Sequence, residues 1–137
     1  MLTDDQFAQL LQFRIVLRRF LRWSESEAVR AGVTSSQHQL LVAARGHRGP
    51  KPPSVTDLAG YLLVRHHTAV GLIDGAQAQG LVQRHPDPDD LRVVRVTLTQ
   101  QGRERLDALT SLHLEELRHV GPVLDALLRL GQDVADQ

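Results

Sequence analysis

Apolar positions along this chain follow helical spacing at both ends and alternate in one short stretch between them. From about Thr3 to Arg30, Phe7, Leu10, Leu11, Leu17, Phe20 and Leu21 recur on one face, with Phe13, Val16 and Trp23 widening it. An apolar arc that broad predicts a helix touching more than one neighbour. Thr34-Ser35-Ser36-Gln37 is a capping-box pattern that opens a second helix through Leu40, Leu41 and Ala44. A loop-rich run, Gly46 to Pro53, follows. Ser54 can cap a third helix, with Asp57 near its positive end and Val55, Leu58, Ala59 and Leu62 on one face. The apolar run Leu62-Leu63-Val64 reads as a turn packed beneath two crossing helices. A fourth helix starts near Arg65, with Ala69, Leu72, Ile73 and Ala76 inward and His66, His67, Val70 and Asp74 nearer the outer face.

Gly80 suits a helix-ending residue of positive φ. A hairpin then runs from Leu81 to His85 and returns from Arg92 to Leu98, where Val94, Val96 and Leu98 alternate with Val93, Arg95 and Thr97. Pro86-Asp87-Pro88-Asp89-Asp90 between the strands predicts a solvated, turn-rich tip. Thr99 starts a further helix with Leu106, Leu109 and Leu117 inward. Gly121-Pro122 is expected to break it before a last amphipathic helix carrying Val123, Leu127, Leu130 and Val134. The fold class is therefore mainly α with a small β-hairpin wing. Residues from about 34 to 98 form a winged helix-turn-helix core, flanked by helices over about 3–30 and 99–135, all in a single domain spanning 1–137. A helix-turn-helix places its second helix in the DNA major groove, and an adjoining hairpin can reach the neighbouring minor groove.

The segment Asp57-Leu58-Ala59, Gly80-Leu81-Val82-Gln83-Arg84, Asp87-Pro88-Asp89-Asp90-Leu91-Arg92 and Leu98-Thr99-Gln100-Gln101-Gly102 resembles the MarR family of bacterial transcription regulators. Asp90-Leu91-Arg92 at the wing, followed seven residues later by Thr99-Gln100-Gln101-Gly102, is the specific part of the match. The resemblance implies a homodimer on double-stranded DNA with an inverted-repeat operator, responsive to a small anionic or phenolic effector and acting as a repressor. The chain departs from the family's usual pattern at three places. Arg65 stands where Ser or Thr commonly caps the recognition helix. Gly71 and Gly75 stand where basic residues are common, and each costs a helix about 1 kcal/mol relative to alanine. Gly71 leaves room for close approach to a DNA backbone.

On this reading the DNA-binding candidates are Arg65, His66, His67, Thr68, Asp90 and Arg92. Asp90 is either a turn residue or a brace for Arg92, two positions on. Adjacent histidines diverge by about 100° around a helix, so His66 and His67 do not form a metal pair unaided, and no metal or other cofactor is expected. Arg14, Trp23 and His38 are the candidates for an effector site, Arg14 or Arg18 as a carboxylate partner. The alternatives are a solvated basic face, an interface tryptophan and a core histidine. His113 and His119 read as exposed positions.

Charge changes the picture in one respect. The 16 basic residues, all arginine except Lys51, balance 16 acidic ones, which is unusual for a nucleic-acid binder. What matters for DNA is the charge of the binding face. The balance, with Gly71 and Gly75, keeps open a second reading: a winged-helix dimeric interaction module that has lost DNA binding. An enzyme is not expected. The chain has no cysteine, glycine-rich phosphate loop, HExxH or nucleophile elbow. No apolar run approaches the length of a membrane span, and acids stand near the N-terminus where a signal peptide would be basic, so a cytoplasmic location is expected.

Overall fold

A computed structural model describes all of residues 1–137. Five helices and two strands follow in the order α1 (Asp4–Arg30), α2 (Ser35–Gly46), α3 (Val55–Leu62), α4 (His66–Ala78), β1 (Val82–Pro86), β2 (Val94–Leu98) and α5 (Gln100–Ala135). The chain divides into two compact units, Ala28–Leu109 and the two ends, Met1–Glu27 with Thr110–Gln137.

Local chemistry accounts for the element boundaries of the Ala28–Leu109 unit. Thr34 caps α2: its hydroxyl accepts from the Gln37 N–H at 3.1 Å, and the Gln37 side-chain Oε1 accepts from the Thr34 N–H at 3.0 Å. Ser54 and Asp57 make the same reciprocal pair on α3 at 3.0 and 2.9 Å. Such caps satisfy amide groups that a helix start leaves without partners. Gly80, at φ 73°, turns the chain out of α4 into the hairpin. The hairpin is antiparallel, with Val82 opposite Leu98, Arg84 opposite Val96 and Pro86 opposite Val94. Its outer edge is closed at one point, where the Val96 N–H donates to the Pro53 carbonyl at 2.9 Å.

The core is drawn from every element of this unit. Leu40 and Leu41 of α2, Leu58 of α3, Ile73 of α4, Leu81 and Val96 of the hairpin and Leu109 of α5 are all essentially inaccessible. Burying each such side chain contributes about 1.5–3 kcal/mol. The junction between hairpin and α5 is closed by Leu98-Thr99-Gln100-Gln101-Gly102. The Thr99 N–H donates to the Leu81 carbonyl at 3.0 Å, and the Thr99 hydroxyl donates to the Gly80 carbonyl while accepting from the Gly102 N–H at 3.1 Å. Gly102 is buried so tightly that a Cβ there would lie 2.1 Å from the Leu81 carbonyl oxygen. The motif is a clasp that needs a residue without a side chain.

The unit built from the chain ends has no core of its own. Every buried apolar residue of the protein lies between Ala28 and Leu109, while Phe7, Leu11 and Leu21 of α1 and Leu114 and Leu128 of α5 stand more than half exposed. Phe20 and Trp23 of α1 pack against the His113 ring of α5, and the Ser24 hydroxyl and His113 Nε2 share a hydrogen bond of 2.6 Å.

Six expectations are corrected. Pro122 does not end a helix: α5 continues through it to Ala135. The residue before it is Gly121, which has no Cβ to meet the proline ring, so the usual bias of that position away from helix is relaxed. Leu63 is 91% exposed. It adopts the left-handed conformation, φ 55°, as the C-cap of α3, which turns its side chain outward while Leu62 and Val64 pack against the core. The return strand begins at Val94, leaving Arg92 and Val93 in the wing tip. Asp87 is buried, because three kinds of donor converge on it. Leu117 is exposed, since it belongs to the half of α5 beyond Leu109. His113 is half-buried through the ring contacts with Phe20 and Trp23. No helix is long and apolar enough to cross a membrane.

Candidate nucleic-acid interface

Helix α4 supplies the first part of the site. Arg65 occupies its N-cap position and makes no side-chain capping hydrogen bond. The amide groups at the start of α4 therefore lack the side-chain acceptor that Ser or Thr would give, and a helix N-terminus in that state favours an incoming anion. His66, His67 and Thr68 of the first turn are exposed, as are Gly71 and Asp74. A Cβ on Gly71 would meet nothing within 4 Å, so no intramolecular packing demands glycine there.

The wing supplies the second part. Asp90 takes the Arg92 guanidinium in a two-pronged grip, Nε to Oδ1 at 3.0 Å and Nη2 to Oδ2 at 3.1 Å, and also accepts from the Arg92 N–H at 3.1 Å. The Arg92 side chain remains 91% exposed. One edge of the guanidinium is fixed while Nη1 has no protein acceptor, which leaves a donor edge to a ligand. The pairing holds the Asp90 carboxyl below the usual carboxylate range, chiefly through the Arg92 side chain, and raises Arg92 in turn.

Residues not singled out in the sequence fix the wing's position. Asp87, 2% exposed, accepts from Arg95 Nε at 2.8 Å, from Lys51 Nζ at 3.3 Å, and from the N–H groups of Asp89 and Asp90 at 2.8 and 3.1 Å. These contacts, first the Asp89 N–H and then Arg95, hold its carboxyl well below the usual carboxylate range. Arg95 also donates to the Pro52 carbonyl at 3.1 Å, and Lys51 reaches Asp89 at 2.6 Å. The hub thus ties the Gly46–Pro53 loop to the wing tip. Arg84 of β1 ties the wing to α4 through Asp74 and through Gln77 Oε1 at 3.1 Å. Its signal was available in the sequence only as an arginine on a strand face and an aspartate on a helix face.

Between the start of α3, α4 and the wing lies a crevice of about 320 Å³. His66 and Arg92 both line it, with Arg84 and Thr56. The structure thus brings two of the six DNA-binding candidates to one crevice, with Asp90 holding Arg92 and Arg65 at the N-cap beside His66. His67 and Thr68 are on the first turn of α4 without lining it. The effector candidates fall in both units. Arg14 is exposed on α1, Trp23 stands nine residues further along beside Phe20 and His113, and His38 is buried on α2 of the other unit. No cluster of three or more His, Cys, Asp or Glu side chains is placed to hold a metal ion.

Residues 31–92, from the turn before α2 to the wing arginine, match the family model described as MarR family. Over 107 residues the chain is 36% identical to the HTH-type transcriptional repressor NicR of Pseudomonas putida, covering 78% of this chain and 65% of that protein. A crystal structure of the MarR family transcription regulator SP03579 superposes with a TM-score of 0.71 at 25% identity, over 97% of this chain and 95% of that one. The chain belongs to the MarR family. The chain spans less than two thirds of the length of the relatives it matches. The S. aureus MepR–DNA complex shares the fold over the full length of both chains, with a TM-score of 0.72 at 17% identity. The fold is the winged helix-turn-helix of this family.

Proposed function

We propose that this protein is a homodimeric, sequence-specific DNA-binding transcription regulator that acts as a ligand-responsive repressor. The observation that carries the DNA reading is the pairing of an α4 start that has no side-chain cap with an exposed wing arginine gripped by Asp90. Arg65, His66, His67 and Thr68 meet phosphates and base edges in a major groove. Arg92 enters the adjacent minor groove, where arginine reads narrow A·T segments. The relative NicR is named as a repressor, and a MepR structure contains DNA. Both support the reading for this chain by kinship.

Dimerisation rests on a separate observation. The end segments bury no side chain fully and expose apolar residues along both α1 and α5. A second copy covers those faces and sets the spacing of the two reading heads. Two-fold symmetry then requires an inverted repeat, with half-site centres about one helical turn apart, roughly 10 bp.

Selection of bound sequences from random duplexes tests the DNA reading. The expected result is an inverted repeat of that spacing, with affinity falling linearly in the logarithm of salt concentration. Enrichment of no sequence, together with a dimer by light scattering, would establish the interaction-module reading instead.

A further inference from the structure

The winged unit carries a second crevice, of about 390 Å³, that shares no lining residue with the one beside His66 and Arg92. It lies between the end of α2, the Gly46–Pro53 loop, the last residues of β2 and the first turns of α5. Arg45, Lys51 and Arg103 contribute to its wall, and no carboxylate does. In a chain of zero net charge that is a marked local excess. Arg45 pairs with Asp107 at 3.2 Å and Lys51 with Asp87 and Asp89, all outside the wall, whereas Arg103 forms no ion pair. His47 and Thr97 also line it, and one part of the wall is apolar: the rings of Pro50, Pro52 and Pro53 and the side chains of Val96 and Leu98.

We propose that this crevice binds a phosphate monoester carried on a flat apolar body, and that occupancy loosens the wing. Three cations from three different elements suit the three terminal oxygens of a phosphate better than the two oxygens of a carboxylate, which one guanidinium can satisfy. The volume is that of a small-molecule site, larger than a bare anion fills, and proline rings offer a flat surface without N–H groups. Coupling to the wing runs through Lys51. Lys51 lines the crevice, and its ammonium pairs with the carboxylates of Asp87 and Asp89. A dianion in the crevice draws Lys51 away and leaves Asp89 without its cation, next to the Asp90–Arg92 pair. The binding half stands on the crevice alone; the regulatory half rests on the DNA-binding reading above.

The probe is phenyl phosphate, titrated into the whole 137-residue chain at low ionic strength and followed by calorimetry and amide chemical shifts. Saturable binding is expected, with shifts at Asp89 and Asp90. Arg103→Gln is expected to weaken it by about tenfold or more. Arg103 is exposed and its side chain holds no partner, so this variant folds. Arg92→Gln is expected to bind as the wild type does, phenol not to bind, and inorganic phosphate to bind more weakly. No binding at millimolar concentration, loss in Arg92→Gln but not in Arg103→Gln, or equal binding of phenol would overturn the site. Equal binding of inorganic phosphate would overturn the apolar-body requirement. With a selected duplex, phenyl phosphate is expected to weaken DNA binding in the wild type and not in Arg103→Gln; unchanged DNA affinity on saturation would overturn the coupling. Failure to select any duplex would refute the DNA reading and leave the calorimetric result standing.

Discussion

Replacing Gly102 by alanine adds one methyl group where the fold has no room for it. The added Cβ would lie 2.1 Å from the Leu81 carbonyl oxygen and 3.0 Å from its carbon, against an ordinary contact of 3.4 Å or more. Relief therefore needs a displacement of about 1.3 Å between the first turn of α5 and the backbone at the start of the hairpin. Neither side is a flexible side chain. The same carbonyl accepts the Thr99 N–H at 3.0 Å, and Thr99 in turn holds Gly80 and Gly102, so a shift of that size breaks the clasp. Overpacking of this kind costs about 1–3 kcal/mol, and the lost hydrogen bond about 1 more. Alanine's better helix propensity returns about 1 kcal/mol. The net loss is about 1–3 kcal/mol, or a fall in Tm of several degrees. Gly60→Ala is the internal control. It sits inside α3 with nothing within 4 Å of the new methyl and should stabilise by up to about 1 kcal/mol. Urea denaturation of both variants measures the pair of effects. If Gly102→Ala were as stable as the wild type, the close approach would not exist in solution, and the clasp reading of the motif would fail.

Arg92→Ala should weaken binding of a selected duplex roughly tenfold and flatten preference at the outer edges of the site, leaving thermal stability unchanged; an unaltered footprint by protection mapping would remove Arg92 from the interface. The Asp87 carboxyl is held below its unfolded value, so its contribution is complete above about pH 4 and is lost as pH falls further through the lowered native value. Asp87→Asn should therefore destabilise the protein at neutral pH, and the gap to the wild type should narrow only in acid; a gap independent of pH down to about 2 would contradict the hub. Glutamate at both Leu127 and Leu130 should yield monomers, or unfold the chain if a monomer cannot stand alone, and abolish DNA binding without touching α4 or the wing; a dimer of full affinity by light scattering would relocate the interface.

Most of the winged unit was legible because its determinants are local. The capping pairs Thr34–Gln37 and Ser54–Asp57, the glycine of positive φ at Gly80 and the alternation of β2 are each written within a few residues. What was misread depends on partners distant in sequence or on a neighbour's absence. Asp87 looks like any turn aspartate until Lys51, 36 residues earlier, and Arg95 close on it. Leu63 looks like core until the left-handed cap turns it outward. Pro122 looks like a stop, yet α5 runs through it, and Gly121 before it relaxes the restriction a proline places on the preceding residue. Of the candidate interface, Arg65, His66, His67, Thr68 and Arg92 were named from the sequence, and Asp90, left there as either a turn residue or a brace, does both. The Arg84–Asp74 tie was not, since a strand and a helix give no register relative to each other.

Balanced charge weighs against DNA binding only if the two signs are equally available, and in the winged unit they are not. Every aspartate between Ser54 and Arg105 is engaged within the fold. Asp57 caps α3, Asp74 holds Arg84, Asp87 gathers Arg95 and Lys51, Asp89 takes Lys51, and Asp90 grips Arg92. Those acids are spent on placing loop, wing and recognition helix relative to one another. Arg65 and Arg103 have no such partner, and Arg92 keeps one donor edge free. The field presented at the start of α4 is thus set by Arg65, by helix amides without a side-chain acceptor and by the imidazoles of His66 and His67. A potential of that origin is short-ranged at physiological salt, where screening acts over about 8 Å. On the DNA-binding reading proposed above, it favours close contacts over long-range attraction, so that geometry at α4 and the wing outweighs total charge in setting affinity.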